Sequence, residues 1–356
     1  MGDTARTRLT LFVLIAYGVT ALMTLPMFIG FREGLSLYLF PNAQMFYPAA
    51  GVIVGLLVTA EDRKKLPVTF FTVVLVTAAV LAVLALLSVT VTIPDLNVQG
   101  QSVPVFTLAG QCVIMVGGVL GWIFLLAEGK QRRADAGLQR RNWGASIAVT
   151  VLFTALYLGR SLFSVALSDV LSGSGFALLK AWLAMLIQPA SLVMIVNLVP
   201  NYFLSMLAFF GEEYGWRYYL QPVMQRRFGL RRGILLLGVV WAVWHVPIDL
   251  MYYAATTGLQ MVASQLVTCV FMSIAFGYAY MKTGNIWVPV LLHYLNNNLI
   301  AVLSGNYSAD LLENQTVSWA QVPVSLAIDA LFFGWLLLMP VFRKKPSEDP
   351  PPAETE

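Results

Sequence analysis

The sequence predicts an all-α fold, a polytopic transmembrane helical bundle of about ten spans with both termini cytoplasmic. Three observations carry this reading. The 356-residue chain is 58% hydrophobic and 11% charged, against about 25% charged for soluble domains. Apolar runs long enough to cross a bilayer, roughly 17–25 residues, recur along the whole chain. The basic residues cluster at every second connection between those runs, where the positive-inside rule places them. A transmembrane β-barrel would show short alternating segments instead. The net charge of +4 reflects this loop bias and gives no sign of a nucleic-acid partner. The medium that the composition implies is the lipid bilayer.

The spans follow in order. Leu9–Gly30 comes after Arg6 and Arg8 and is too long for a signal-peptide core, so it reads as a retained first helix. Ala43–Ala60 ends at the basic run EDRKK (61–65). Pro67–Ile93 and Val105–Ala127 are joined by PDLNVQGQSVP, which lacks Lys and Arg, and are followed by the basic run 128–141. Ala145–Leu167 carries Arg160, expected to snorkel to the outer interface. Gly233–Leu250 and Leu259–Met281 lie between QRRFGLRR (225–232) and Lys282. Ile286–Leu303 and Val322–Phe342 flank a second loop free of Lys and Arg, and RKK (343–345) closes the pattern, with Arg32 the main exception. Cys112 and Cys269 lie inside apolar runs and read as small core residues.

The run Phe176–Phe210 strains a simple span. From Phe176 to Arg226 a continuous helix would be roughly 75 Å long, against a bilayer core of ~30 Å. Pro189 and Pro200 are expected to break or kink it, with an outer interfacial helix leading into a span. The chain thus divides into a five-helix region, 1–175, of unassigned role, a helical core, 176–305, an outer loop with the last helix, 306–342, and a Pro- and Glu-rich tail, 343–356, read as disordered and cytoplasmic.

Within the core, charges appear where they are costly, at least ~2.5 kcal/mol each on insertion scales. The stretch FFGEEYGWRYYL holds Glu212, Glu213 and Arg217. Glu213 is thirteen residues before Arg226, and His245 is thirteen residues after Arg232. Each distance is about 20 Å on a helix. His293 is eleven residues after Lys282, about 16 Å by the same rise. These motifs therefore converge at comparable depth. The chain has two histidines, and each has an i±4 neighbour on its own face, Trp241 before His245 and Asn297 after His293. Intramembrane ionisable groups in such a set mark a site.

Helical geometry sorts the roles. Glu213 and Arg217 are i,i+4, the favourable order for an ion pair. Glu212 is i,i+5 from Arg217, about 140° around the axis. Glu212, His245, His293 and Asn297 are expected to face one water-accessible cavity, with Arg217 turned away from it to neutralise and orient Glu213 and to leave Glu212 free as a general base. A glutamate with a histidine can polarise a water, and a histidine with an asparagine can donate to an oxyanion. Asp249, four residues after His245, reads as an interfacial or loop residue, with a role in orienting His245 as the alternative. Asn296 and Asn298 read as packing or capping groups.

EEYGWR fits E-E-x-x-x-R, WAVWH fits aromatic-x-x-x-H, and HYLNN fits H-x-x-x-N. In this order the motifs resemble the CPBP family of intramembrane peptidases, which includes CAAX prenyl proteases and bacteriocin-processing or immunity proteins. The resemblance covers roughly residues 183–303. It implies an endopeptidase in which Glu212 and His245 activate water and His293 and Asn297 form the oxyanion site, with Glu213, Arg217 and Trp241 in support. Trp241 stands where the family usually has Phe.

The implied substrate is a membrane-embedded or lipidated peptide, and the implied location is a prokaryotic cell membrane with the site open to the cytoplasm. The resemblance to characterised CAAX enzymes points to a glutamate mechanism without obligatory metal. Glu212, His245 and His293 would also make a His₂Glu set for Zn²⁺, although the soluble H-E-x-x-H spacing is absent. Two alternatives come from other classes. One is a non-catalytic immunity or peptide-binding member, which would be expected to have lost a site residue. The other is a proton-coupled transporter, for which matching half-repeats are absent.

Overall fold

The computed structural model describes residues 2–98, 101–308 and 311–343. The tail from residue 344, read above as disordered, lies outside the described residues. Long apolar segments with few charges fold as helices, because in lipid each backbone polar group must be satisfied within its own segment. In chain order these are α1 (Asp3–Arg32), α2 (Leu39–Thr59), α3 (Val68–Thr90), α4 (Val105–Ala127) and α5 (Trp143–Ser172). Then come a short apolar helix α6 (Ala177–Leu186), α7 (Pro189–Phe228), α8 (Leu230–Tyr253), α9 (Gly258–Thr283), α10 (Trp287–Ser304) and α11 (Gln321–Leu338).

Nine of these helices, among the described residues, are long and apolar enough to cross a membrane. The α10 helix, 18 residues long, completes the bundle. The strands among the described residues, Leu96–Val98 and Gln101–Val103, form one antiparallel hairpin in the α3–α4 loop. The protein is an integral membrane helical bundle.

The over-long run resolves as the prolines require. The chain breaks at Ile187 and Gln188, and Pro189 opens α7 in its first turn, where a missing N–H is harmless. Asp169 receives the backbone N–H groups of Leu178 and Leu179 and so caps α6. Pro200 stays inside α7. The backbone of α7 loosens to a π-helix over Tyr214–Leu220, immediately after the glutamate pair, as π-segments commonly do at functional sites.

The five-helix region is part of the frame around α7 and α8. The Trp244 indole donates to the Ala16 carbonyl at 3.0 Å, Tyr17 Oη to Val240 at 2.7 Å, and Gln44 Nε2 to Trp244 at 2.8 Å. Thus α1 and α2 hold the helix of His245 from behind. The α7 helix meets α2 through Gly211 and Gly215, a small-xxx-small pair that lets backbones approach. A Cβ on Gly211 would lie 2.5 Å from the Met45 carbonyl oxygen, and one on Gly215 would run into Pro48.

Two single-residue expectations change. Arg160 does not snorkel free. Its Nε pairs with Asp329 of α11, a carboxylate 1% exposed, because a carboxylate buried in the protein needs a cation. Cys269 is buried as expected, but Cys112 is exposed on the outer face of α4. Packing at Gly211 gives a direct test. Gly211→Leu is expected to destabilise the protein by about 1–3 kcal/mol of overpacking, read as a lower unfolding midpoint in detergent. Gly144→Ala, where an added Cβ meets nothing within 4 Å, is expected to leave the midpoint unchanged.

Candidate active site

Glu213 is fully buried, and both of its oxygens are engaged. Arg217 Nε donates to Oε2 at 2.8 Å, and His293 Nδ1 donates to Oε1 at 2.9 Å. The first contact is the i,i+4 pair that the spacing predicts. The second was not legible in the sequence, since α7 and α10 are joined only by the fold. The carboxylate thus fixes which nitrogen of His293 carries a proton and aims Nε2 elsewhere.

Arg217 is completely buried. Its Nη1 donates to Ser273 Oγ of α9 at 2.8 Å. Its guanidinium lies 4.8 Å from the Trp241 ring centroid and 5.5 Å from that of Phe276. Weakly hydrated and planar, a guanidinium tolerates such aromatic walls where an ammonium would not. Ser273 is a lone hydroxyl in an apolar run, with no pattern to announce it.

Glu212 is 3% exposed, and its Oε2 accepts the Trp241 indole N–H at 2.8 Å. The expected aromatic wall is therefore also a hydrogen-bond donor, a capacity that the Phe usual in the family lacks. Trp241 stands edge-on to both imidazoles, 5.7 Å from His245 and 5.6 Å from His293 between ring centroids. The two histidines, from α8 and α10, flank one indole.

His245 Nδ1 lies 2.9 Å from the Trp241 carbonyl oxygen. A carbonyl only accepts, so Nδ1 carries the proton and Nε2 is left with its lone pair or a second proton. The backbone of its own helix therefore orients His245, and Asp249 does not. Asp249 is fully buried, and neither carboxylate oxygen has a hydrogen-bond partner among the described residues. The expectation of a loop or interfacial aspartate is replaced by a buried one. Cys269 Sγ sits 3.8 Å from His245 Nδ1.

Asn297 is half-buried, and its Oδ1 accepts from Asn296 Nδ2 at 2.9 Å, which leaves the Asn297 amide nitrogen free to donate. Asn298 accepts from Asn201 of α7 at 3.0 Å, and Tyr294 Oη donates to the Leu198 carbonyl at 2.6 Å. These two bonds close the seam between α7 and α10 beyond His293.

The donor set Glu212, His245 and His293 does not fit a metal as arranged. Among the described residues no three His, Cys, Asp or Glu side chains are placed to hold a metal ion.

The ion pair makes a clear prediction. Arg217→Ala leaves a buried carboxylate without its cation and is expected to cost about 3–5 kcal/mol, measured as a fall in the unfolding midpoint. Glu213→Gln/Arg217→Met, which removes both charges, is expected to recover part of that loss. A stable Arg217→Ala protein would show that the guanidinium is not what neutralises Glu213.

Comparison with known proteins gives the same region. Residues 194–299, from α7 into α10, match the family described as Type II CAAX prenyl endopeptidase Rce1-like. CAAX prenyl protease 2 of Methanococcus maripaludis is 40% identical over 52 residues, 15% of this chain and 19% of that relative's length. No solved structure matches the chain. The matched segment holds Glu212, Glu213, Arg217, Trp241, His245, His293 and Asn297, and its similarity to the Rce1-like family agrees with the CPBP resemblance of the three motifs.

Proposed function

We propose that the protein is an intramembrane endopeptidase that hydrolyses a peptide bond in a membrane-embedded or lipidated peptide. The observation that carries the reading is the division of labour around Trp241. On one side are Glu212 and His245, each with one polar atom held and one left over. On the other is His293, backed by the Glu213–Arg217 pair.

Water is polarised by the free oxygen of Glu212 and by His245 Nε2, and attacks the carbonyl carbon as its proton passes to this pair. The developing oxyanion takes hydrogen bonds from His293 Nε2 and from the amide nitrogen of Asn297. With Nδ1 donating to Glu213, Nε2 donates when the ring is an imidazolium, and the charge of that imidazolium is met by the developing oxyanion. The proton taken from water then goes to the leaving amine. His293 and Asn297 are one turn apart on α10, a rigid spacing for two donors to one atom. The site opens to the basic, cytoplasmic side of the membrane, as the loop charges suggest, and the family resemblance suggests a prokaryotic cell membrane. The five N-terminal helices act as a brace for α7 and α8.

Glu212→Gln preserves shape and removes the base. It is expected to lower hydrolysis by 10²–10⁴-fold, the usual worth of general-base catalysis, with an unchanged unfolding midpoint. The measurement is a comparison of membrane peptides from cells expressing wild type or Glu212→Gln. Cleavages that persist in the variant at more than about a tenth of their wild-type level would sink the assignment. Those cleavages are also expected to survive EDTA treatment of isolated membranes, since the donors do not form a three-ligand set. Loss in EDTA with recovery on adding Zn²⁺ would overturn the metal-free mechanism and leave the peptidase reading standing.

A further inference from the structure

The loop after α4 builds a second polar site, remote from the motifs. A cavity of about 340 Å³ opens at the basic end of α4. Its lining includes Lys130, Arg133 and Arg140, the carboxamide of Gln139, and the apolar side chains of Leu125 and Leu126. No carboxylate lines it. The acids of this loop are engaged elsewhere, Glu128 with Arg132 at 3.2 Å and Asp135 with Gln131 Nε2 at 2.6 Å. Arg133 reaches the Leu125 carbonyl at 3.4 Å, a cation at the open C-terminal end of a helix. Lys130 and Arg140 form no ion pair among the described residues. Three cations thus surround a cavity with no anion in its wall.

The apolar surroundings say which anion fits. Val116, Val119, Ile123 and Leu126, all between 45% and 57% exposed, follow the i, i+3, i+7, i+10 spacing of one helical face. They make an apolar stripe that runs along α4 and ends at the cavity. A cationic mouth continuous with such a stripe, at the edge of a membrane span, has the form of a phospholipid, with a charged head and an acyl chain beside it.

The walls are also tied to the motif helices. Trp287 Nε1 donates to the Leu138 carbonyl at 2.9 Å, and Tyr214 Oη donates to Ala136 at 2.9 Å. The Arg140 guanidinium lies 6.0 Å from the Trp122 ring, which stacks on Trp287, which stacks in turn on Phe210. Phe210 precedes Glu212 by two residues.

We propose that this cavity is a headgroup site for an anionic phospholipid of the adjoining leaflet. Its phosphodiester sits among Lys130, Arg133 and Arg140, and its acyl chain lies along Val116, Val119, Ile123 and Leu126. The bound lipid stiffens the loop that buttresses α7 and α10. The positive-inside bias alone would make every basic loop equivalent, whereas this proposal singles out one.

The test uses the full chain in nanodiscs of phosphatidylcholine, with or without phosphatidylglycerol. Phosphatidylglycerol is expected to raise the unfolding midpoint of the wild type and to remain bound in native mass spectrometry. Lys130→Gln/Arg133→Gln/Arg140→Gln is expected to weaken retention by roughly a hundredfold and to abolish the rise. Arg231→Gln/Arg232→Gln, which neutralises two exposed arginines outside the cavity, is expected to keep both. Lys130→Glu serves if the triple variant does not fold, since Lys130 is exposed and makes no hydrogen bond or ion pair among the described residues, and it is expected to show the same direction of loss. Equal loss in the two neutralised variants would overturn the proposal. So would the same stabilisation by inorganic phosphate in phosphatidylcholine alone, which would mean that no lipid is required.

Discussion

A carboxylate without water must have its charge answered by fixed partners, and Glu213 is where this protein meets that constraint. In lipid an unpaired charge is costly and a half-satisfied one nearly so. Arg217 covers one oxygen and His293 the other. Because those partners come from α7 and α10, satisfying one carboxylate sets the distance and rotation between two motif helices. The arginine must then be satisfied in turn, which brings in Ser273 of α9 and the faces of Trp241 and Phe276. Much of the site's geometry follows from closing this chain of obligations.

Trp241 is where the structural and the chemical halves meet. Its face covers the buried guanidinium, its N–H holds Glu212, its carbonyl orients His245, and its edge-on contacts include both imidazoles. A phenylalanine could supply the wall and the ring contacts but not the N–H. The free oxygen of Glu212 is therefore better defined here than an aromatic-x-x-x-H pattern requires.

The N-terminal helices contribute by packing. Gly211 and Gly215 flank the two glutamates on α7, so one side of the motif helix faces chemistry while another lies flush on α2. The glycines of FFGEEYG are as much a part of the motif's physical meaning as its acids. Their absence of side chains is what lets α2 come close enough for Gln44 to reach the backbone of α8.

The sequence by itself determined the helical membrane class, the span of α4 and the break at Pro189. It also carried the Glu213–Arg217 pair and the convergence of the two histidines with the glutamates on one level. These depend on hydrophobic length, backbone chemistry and the 1.5 Å rise of a helix, all of which are local. Only the tertiary structure decided that Glu213 serves His293, that the Trp241 indole holds Glu212, and that Ser273 receives the arginine. It also decided that Asp329 captures Arg160, and that Asp249 is buried rather than in a loop. Each of those contacts joins helices whose relative rotation no spacing along one helix can encode. A residue's depth can be counted along the chain, but the face that meets a partner from another helix is set by the packing of every side chain between them.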